Sequence, residues 1–129
     1  MYDRELVIEV LSQILSSARR IVARFKAINS ANDFVASEEG LEKLDGICMQ
    51  LIAIGESLKN LDRVTDSKLL EKYSEVDWRS AKGMRDVISH QYFDLNEEAV
   101  FDVCENNIST LIETVGKIIE DQKHDSEDD

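Results

Sequence analysis

Apolar residues recur three and four positions apart over the first part of the chain, which is the spacing that forms one buried stripe along a helix. This first stripe consists of Val7, Leu11, Ile14, Ala18, Ile21, Phe25 and Ile28. It predicts a first helix over residues 3–28. The segment NSANDF then breaks the pattern, because Asn and Ser favour turns and helix caps.

A second stripe predicts a second helix that ends near Leu61; its members are Leu41, Leu44, Cys48, Leu51, Gly55 and Leu58. The segment DRVTDSKLLEKYSEVD has no long period and predicts a connection that holds one short helix. A third, shorter helix is predicted to start near Asp77 or Trp78 and to run towards His90.

The last stripe follows the segment FDLNEE, in which Asn96 is the predicted N-cap and acidic residues occupy the first turn. Its members predict one final helix: Phe101, Cys104, Ile108, Leu111, Val115 and Ile118. Four helices with such stripes bury them best as an all-α antiparallel four-helix bundle, with the short extra helix in the connection before the third main helix. We predict that this bundle occupies residues 1–121.

The stripes are wide, since further apolar residues flank them: Val10, Leu15, Val22, Ile47, Ile52, Ile112 and Ile119. This extra width predicts either a thick core or a dimer face. Proline is absent and glycine occurs 5 times, which also favours long helices.

The net charge of −12 is partly concentrated at the carboxyl end. Residues 122–129 belong to the segment EDQKHDSEDD, which has no apolar side chain and predicts a disordered acidic tail. Such a tail keeps a protein soluble or docks a basic partner. Broad acidity argues against a protein that coats nucleic acid, but it leaves room for a small basic site.

The amino-terminal sequence, the length of the apolar runs and the cysteines bear on the cellular compartment. The amino terminus MYDRELVIEV carries charges among its apolar residues, unlike a signal peptide, and no apolar run approaches the roughly 20 residues needed to span a bilayer. Cys48 and Cys104 each lie in an apolar helical pattern and are expected to be reduced core thiols. We therefore expect a cytoplasmic protein without membrane contact.

The sequence lacks the motifs of several common kinds of binding site and metal centre. The sequence contains no GxGxxG or P-loop pattern, no Cys/His cluster for zinc and no Glu-x-x-His pair for a di-iron site. We expect no metal site and no cofactor.

The stretch GMRDVISHQYFD places Arg85, His90 and Tyr92 within eight residues. Arginine offers a permanent cation with a planar fork of donors, and histidine is the side chain that best moves a proton near pH 7. Together they suffice for RNA cleavage without a metal, in which the 2′-hydroxyl attacks and arginine stabilises the charged phosphorus. The structural alternative is a surface arginine, a core tyrosine and a histidine bonded to a buried carbonyl.

The spacing complicates a shared site. At 100° per residue, Arg85 and Tyr92 lie nearly on one helix face, whereas Arg85 and His90 lie about 140° apart. Either the third helix ends or bends near Ser89, or a second copy completes the site across a two-fold axis.

RDVISHQY resembles the Arg-x4-His-x-Tyr motif of the HepT-like proteins of the HEPN superfamily, which are the toxins of toxin–antitoxin pairs. The resemblance covers nearly the whole chain and includes IAIGESLKNL on the second helix, the lead-in from Trp78 through GMRD, and HQYFDLN. Asp86 also fits, because the superfamily favours a polar residue directly after the arginine.

The resemblance implies an all-α homodimer that acts as a metal-independent endoribonuclease, with Arg85 and His90 as the catalytic pair at the dimer cleft. It further implies a minimal nucleotidyltransferase as antitoxin, which transfers AMP from ATP to the motif tyrosine, here Tyr92. An adenylylated Tyr92 adds bulk and negative charge beside Arg85 and blocks a phosphate site.

Supporting roles are predicted for residues around the motif. Arg79, Lys82 and Arg85 give a local basic strip for RNA on the third helix, which Lys59 extends if it faces the same side. Glu56 either orients the motif residues or is an ordinary surface acid. The alternative function is a non-catalytic helical module that binds a nucleotide or substrate for a partner nucleotidyltransferase, and a purely structural dimer is the third possibility.

Overall fold

A computed structural model describes residues 2–91 and 96–128, with side chains described for residues 2–88 and 96–125. Every regular element in these ranges is helical, which confirms the all-α prediction. The five α-helices are α1 (Arg4–Phe25), α2 (Glu38–Thr65), α3 (Trp78–Gln91), α4 (Glu97–Asn106) and α5 (Ile108–Asp128). Two short 3₁₀ helices occupy Ala31–Phe34 and Leu70–Lys72, and the second confirms the short helix predicted before α3.

The helices begin at polar caps that the sequence supplies. Asp3 accepts a hydrogen bond from the backbone of Leu6 at the start of α1, and Ser37 accepts one from Gly40 at the start of α2. Asn96 accepts from the backbone of Glu98, which confirms it as the N-cap of α4. Each cap satisfies a backbone donor that the first helical turn leaves without a partner.

Neighbouring helices run antiparallel. The end of α1 meets the first half of α2, where Arg24 lies against Gly46, and the start of α1 meets the end of α5, where Arg4 Nη1 donates to the backbone oxygen of Asp125 at 3.3 Å. α1 packs against α2 and α5, and α3 packs against α2. The bundle therefore places α3 beside α2, where the motif residues meet the second helix.

The predicted stripes form the core, with Phe25 and Phe101 partly buried against it and one member exposed. All members of the second stripe are buried except Leu41, which is 36% exposed. The reason lies in the first turn of α2, where Gly40 packs tightly on the carbonyl groups of Asp33 and Phe34. Leu41 follows one residue later, about 100° around the helix, and so faces away from that contact.

The last predicted helix is in fact two helices, and the prediction of one continuous helix is wrong. The break falls at Asn107, whose backbone N–H bonds to Val103 while its carbonyl accepts from Leu111. Asn107 departs from helical geometry with a φ of −115°, and asparagine is a residue type with low helix propensity. The buried stripe continues across the break, since Cys104 and Ile108 both lie in the core.

The acidic end of the chain continues α5 as helix to Asp128, so the predicted boundary at residue 121 is not marked by a helix end. Gln122 is buried, and the backbone of Asp125 accepts the bond from Arg4 described above. These contacts hold the first part of the segment against the bundle. The disorder of residues 122–129 stays a prediction.

The connection before α3 is fixed at both of its ends. Trp78 Nε1 donates to the backbone oxygen of Tyr73 at 2.7 Å, and the Tyr73 hydroxyl donates to Asp121 Oδ2 on α5 at 2.7 Å. Burial and the Asp121 carboxylate raise the pKa of Tyr73, so the hydroxyl stays a donor. Trp78 is buried and hydrogen-bonded there, which positions the first turn of α3.

α3 itself begins on a polar cap. Asp77 accepts from the backbone N–H of Ser80 at 3.1 Å and from the Ser80 hydroxyl at 2.7 Å. These two bonds lower the pKa of Asp77. No helix among the described residues is both long and apolar enough to cross a bilayer.

Candidate functional site

Six charged residues form a ladder between α2 and α3, on the side of α3 that carries Arg85. Glu56, Lys59 and Asp62 recur every three residues on α2, so they lie along one side of that helix. Lys82, Arg85 and Asp86 oppose them from α3. We call this set the charge ladder.

Arg85 lies at the centre of the charge ladder and is held by two carboxylates. Its Nε lies 2.5 Å from Glu56 Oε1 on α2, and its Nη1 lies 3.1 Å from Asp86 Oδ1 on α3. The Arg85 side chain is 42% exposed and that of Glu56 54%, so the guanidinium is both fixed and open to solvent.

Asp86 connects Arg85 to Lys59. Lys59 Nζ lies 3.4 Å from Asp86 Oδ2, while Asp86 Oδ1 accepts from Arg85. The hydrogen bonds from Arg85 and Lys59 hold the pKa of Asp86 below its ordinary value. Asp86 and Glu56 in turn raise the pKa of Arg85, which stays a cation at any pH where the protein folds.

The predicted basic strip is largely neutralised where it faces α2. Lys82 forms a short ion pair with Asp62, and both side chains are mostly covered, at 29% and 15% exposed. Arg79 is exposed on the first turn of α3, near Asp77. The strip therefore consists of cations that share carboxylates rather than a patch of free positive charge.

Gly55 marks the closest approach of α2 and α3. A Cβ atom at this position would lie 3.1 Å from the Cβ of Arg85 and 3.2 Å from the backbone oxygen of Lys82. Both distances are shorter than ordinary van der Waals contact, so a larger residue requires α3 to move. Gly55 is buried within α2 and directly precedes Glu56.

The other two motif residues are described only in part. α3 continues through Gln91, so of the alternatives left open above the helix end near Ser89 is excluded, and His90 lies on the same helix as Arg85. The side chain of His90 lies outside the described residues, and so does Tyr92. On an ideal helix the positions of Arg85 and His90 differ by about 140° around the axis.

His90 occupies a helix position on the outward face of α3. Arg79, Gly83, Asp86 and Val87 lie on that face at 100° per residue. A Cβ atom at Gly83 would meet nothing within 4 Å, and Val87 is 49% exposed. The face is therefore flat and partly apolar, and we call it the outward face.

A cavity of about 340 Å³ opens on a third side of α3. It lies between α2, the first half of α3 and the break between α4 and α5, where Asn107 lines it. Its walls are mainly apolar, with Leu51, Ile54 and Met84 among them. Among the residues whose side chains are described, no group of three His, Cys, Asp or Glu is placed to hold a metal ion.

Taken together, the fold and the charge ladder define a small all-α bundle that presents a fixed arginine on an open face. The family model described as "Ribonuclease HepT-like" matches residues 14–118, and the chain belongs to this family.

Relatives carry ribonuclease names. "Putative RNase TTE0752" of Caldanaerobacter subterraneus subsp. tengcongensis is 32% identical over 113 residues, which cover 88% of this chain and 94% of that protein. "Putative RNase MJ0127" of Methanocaldococcus jannaschii is 31% identical over 81 residues, 63% of this chain and 64% of that protein. "Gamma-glutamylcyclotransferase and putative RNase MJ0434" of the same organism is 27% identical over 111 residues, 86% of this chain and 46% of that protein. No solved structure was found to match.

The sequence left Glu56 open between orienting the motif residues and being an ordinary surface acid, and the structure places it against Arg85. Two other neighbours were missed. Asp62 as the partner of Lys82 was not predicted, although it follows Lys59 by three residues and so lies near it on the surface of α2. Gly55 was predicted only as a member of the buried stripe. Both contacts depend on the register between α2 and α3, which cannot be predicted from the sequence of either helix alone.

Proposed function

We propose that this chain is a metal-independent endoribonuclease, the toxin of a toxin–antitoxin pair, that works as a homodimer. The observation that carries the proposal is the Arg85 guanidinium, fixed by Glu56 and Asp86 on a helix that also bears His90. Membership of the HepT-like ribonuclease family and the ribonuclease names of the relatives support it.

In the proposed reaction the RNA 2′-oxygen attacks the adjacent phosphorus and the bond from phosphorus to the 5′-oxygen breaks. One histidine, His90, takes the proton of the 2′-hydroxyl or gives a proton to the leaving 5′-oxygen. Arg85 stabilises the additional negative charge on the pentacovalent phosphorus. The products are a 2′,3′-cyclic phosphate and a 5′-hydroxyl end. Arg79, Lys82 and Asp86 support this site from the same helix.

A two-fold dimer solves the geometric problem of a straight α3. Because Arg85 and His90 lie about 140° apart, the arginine of one copy acts best with the histidine of the other. The open space at Gly83 and the exposed Val87 support close approach of a second α3 along the outward face. Sedimentation equilibrium is expected to give a dimer, and Val87→Glu is expected to give an inactive monomer. A fully active monomer contradicts the composite site.

Cleavage itself is tested with purified protein and labelled RNA in EDTA. Arg85→Ala and His90→Ala are each expected to abolish cleavage and to leave the melting temperature near that of the wild type. The Arg85 side chain is 42% exposed, and ion pairs at such positions add little stability. Arg19→Ala removes an exposed arginine on α1 and is the matched control, with full activity expected. Activity that survives in either motif variant, or disappears with EDTA, contradicts the mechanism. Binding of ATP or AMP without any cleavage supports the nucleotide-binding module instead.

The proposed antitoxin is a minimal nucleotidyltransferase that modifies Tyr92. The tyrosine oxygen attacks the α-phosphorus of ATP, pyrophosphate leaves, and the hydroxyl proton is released. The attached AMP brings about one negative charge near Arg85, the nearest motif cation in sequence. Intact-mass spectrometry of the co-expressed pair is expected to show added AMP on Tyr92, and Tyr92→Phe is expected to escape neutralisation. An unmodified Tyr92 in a neutralised complex means that the antitoxin works by binding alone.

A further inference from the structure

The glycine at position 55 is not explained by backbone conformation. Gly55 lies inside α2 with ordinary helical geometry, where glycine destabilises a helix by roughly 1 kcal/mol relative to alanine. It is explained by space, because an added Cβ would lie 3.1 Å from the Cβ of Arg85 and 3.2 and 3.4 Å from the backbone oxygens of Lys82 and Ala81. Two of these three contacts are to the backbone of α3, which cannot rotate away as a flexible side chain does.

This close approach brings Arg85 within reach of the next residue on α2. Glu56 Oε1 lies 2.5 Å from Arg85 Nε, a close ion pair between the two helices. Both side chains are about half exposed, and ion pairs of that kind add little to the stability of a fold. The arrangement therefore fixes a direction for the guanidinium more than it stabilises the bundle.

The remaining nitrogens of Arg85 suit the proposed reaction. With Nε on Glu56, Nη1 and Nη2 form the outer edge of the guanidinium, and only Nη1 is paired with Asp86. A phosphate that binds this outer edge takes the place of Asp86, which still keeps Lys59 as a cationic partner. Phosphate binding does not displace Glu56, which holds the guanidinium throughout.

We propose that Gly55 and Glu56 form a positioning element for Arg85, in which the glycine sets the distance between α2 and α3 and the glutamate sets the direction of the guanidinium. The catalytic part of this statement rests on the proposed ribonuclease function, and the geometric part does not. Neither residue contacts the RNA in this scheme.

Gly55→Ala tests the distance, with Gly116→Ala as its matched control. Both replace a glycine inside a helix, but a Cβ at Gly116 would meet nothing within 4 Å. Gly116→Ala is expected to keep wild-type cleavage and to raise the melting temperature through helix propensity. Gly55→Ala displaces α3 by a few tenths of an ångström and is expected to lower kcat about 10-fold or more while KM changes less, since small misplacement of a reacting group is expensive in rate.

The direction is tested with Glu56→Ala and Glu56→Gln, which change a surface side chain and keep the fold. We expect Glu56→Ala to lower kcat about as much as Gly55→Ala, and Glu56→Gln to recover part of it because glutamine still accepts a hydrogen bond. A merely structural role predicts no such recovery at constant melting temperature. These variants decide the proposal if Gly55→Ala does not fold.

A second readout needs no activity. The Nε–H signal of Arg85 in spectra of ¹⁵N-arginine-labelled protein, assigned by its loss in Arg85→Lys, is expected to be sharp in the wild type and in Gly116→Ala. It is expected to broaden or move in both Gly55→Ala and Glu56→Ala. An unchanged signal and wild-type kcat in Gly55→Ala overturn the positioning element. If the wild type cleaves no RNA, the ribonuclease proposal fails and this signal alone decides the geometric one.

Discussion

α1 and α3 both pack against α2, but they are held there by different forces. α1 contributes an apolar stripe whose central members, from Val7 to Ile21, are fully covered. From the described part of α3 only Trp78 and Ile88 join the buried core, and Ala81 and Met84 pack partly buried against it. The rest of the contact with α2 is the close backbone approach at Gly55 and the charge ladder. Exposed and half-exposed ion pairs add little stability compared with buried apolar surface.

The contrast separates two tasks. The α1 side of α2 holds the bundle together, and the α3 side positions charged groups at modest cost in stability. Substitutions on α1 should therefore lower stability first, and substitutions in the charge ladder should lower activity first. The predictions below test that separation, beginning with the largest expected effect.

The two cysteines in the core are predicted to be protected from thiol reagents. Burial raises the pKa of Cys48 to about 11 and that of Cys104 to about 12, so both stay protonated at pH 8. Because the thiolate is the reactive form, labelling of the native protein at pH 8 is expected to be about a hundredfold or more slower than labelling in urea. Mass spectrometry of timed samples gives both rates. Rapid labelling of the native protein shows that the core opens readily.

Leu11→Ala is predicted to lower the free energy of unfolding by about 2–5 kcal/mol, because it leaves a cavity at a fully buried position of α1. Leu6→Ala, at a position on the same helix that is 39% exposed, is the control and is expected to change it by less than about 0.5 kcal/mol. Urea unfolding measures both. Below its melting transition Leu11→Ala keeps its ribonuclease activity if stability and site are separate.

Lys82→Ala tests the most covered pair of the charge ladder. It leaves Asp62, which is 15% exposed, without its cation, and we expect a loss of about 1–2 kcal/mol, between the values for surface and buried pairs. Lys68→Ala, at an exposed lysine in the connection, is the control. A double-mutant cycle with Asp62→Ala isolates the pair. If Lys82→Ala lowers the free energy of unfolding as much as Leu11→Ala does, the α1 side and the α3 side of α2 do not differ in this way.

The smallest effect concerns pH. Asp86 has a lowered pKa in the folded state, so its contribution to stability is present above its unfolded pKa near 3.9 and is lost only as the pH falls through its lower folded value. Between pH 5 and 8 its charge does not change. A change of the cleavage rate within this pH range is therefore not due to Asp86, and Lys59→Ala is expected to leave it in place. If the pH dependence of the cleavage rate shifts in Lys59→Ala, it is due to the charge ladder.

The sequence predicted the main helices because each carries one uninterrupted apolar stripe. The break at Asn107 was not predicted, since the spacing from Cys104 to Ile108 continues the stripe while the φ angle of Asn107, −115°, departs from helical geometry. Leu41 was wrongly predicted to be buried, because the packing of Gly40 on the loop before α2 is a tertiary contact that the apolar spacing does not show.

The site was predictable as a motif and not as an arrangement. Arg85, His90 and Tyr92 are visible as neighbours in the chain, and so is Asp86. The partners that position Arg85 come from another helix, and the register of α2 against α3 depends on how closely the two backbones approach. That approach is set at Gly55, which as a residue type carries no chemical signal.

The pairing within the charge ladder also determines how RNA reaches the protein. Lys59, Lys82 and Arg85 are each matched by a carboxylate, while the whole chain carries a net charge of −12. A polyanion that approaches from a distance is therefore repelled, and attraction begins only when a phosphate has come close enough to exchange with Asp86. Dissolved salt shortens the range of that repulsion to about 10 Å at 0.1 M. Raising the ionic strength from low values thus speeds the encounter, the reverse of the behaviour of proteins that hold nucleic acid through a basic surface.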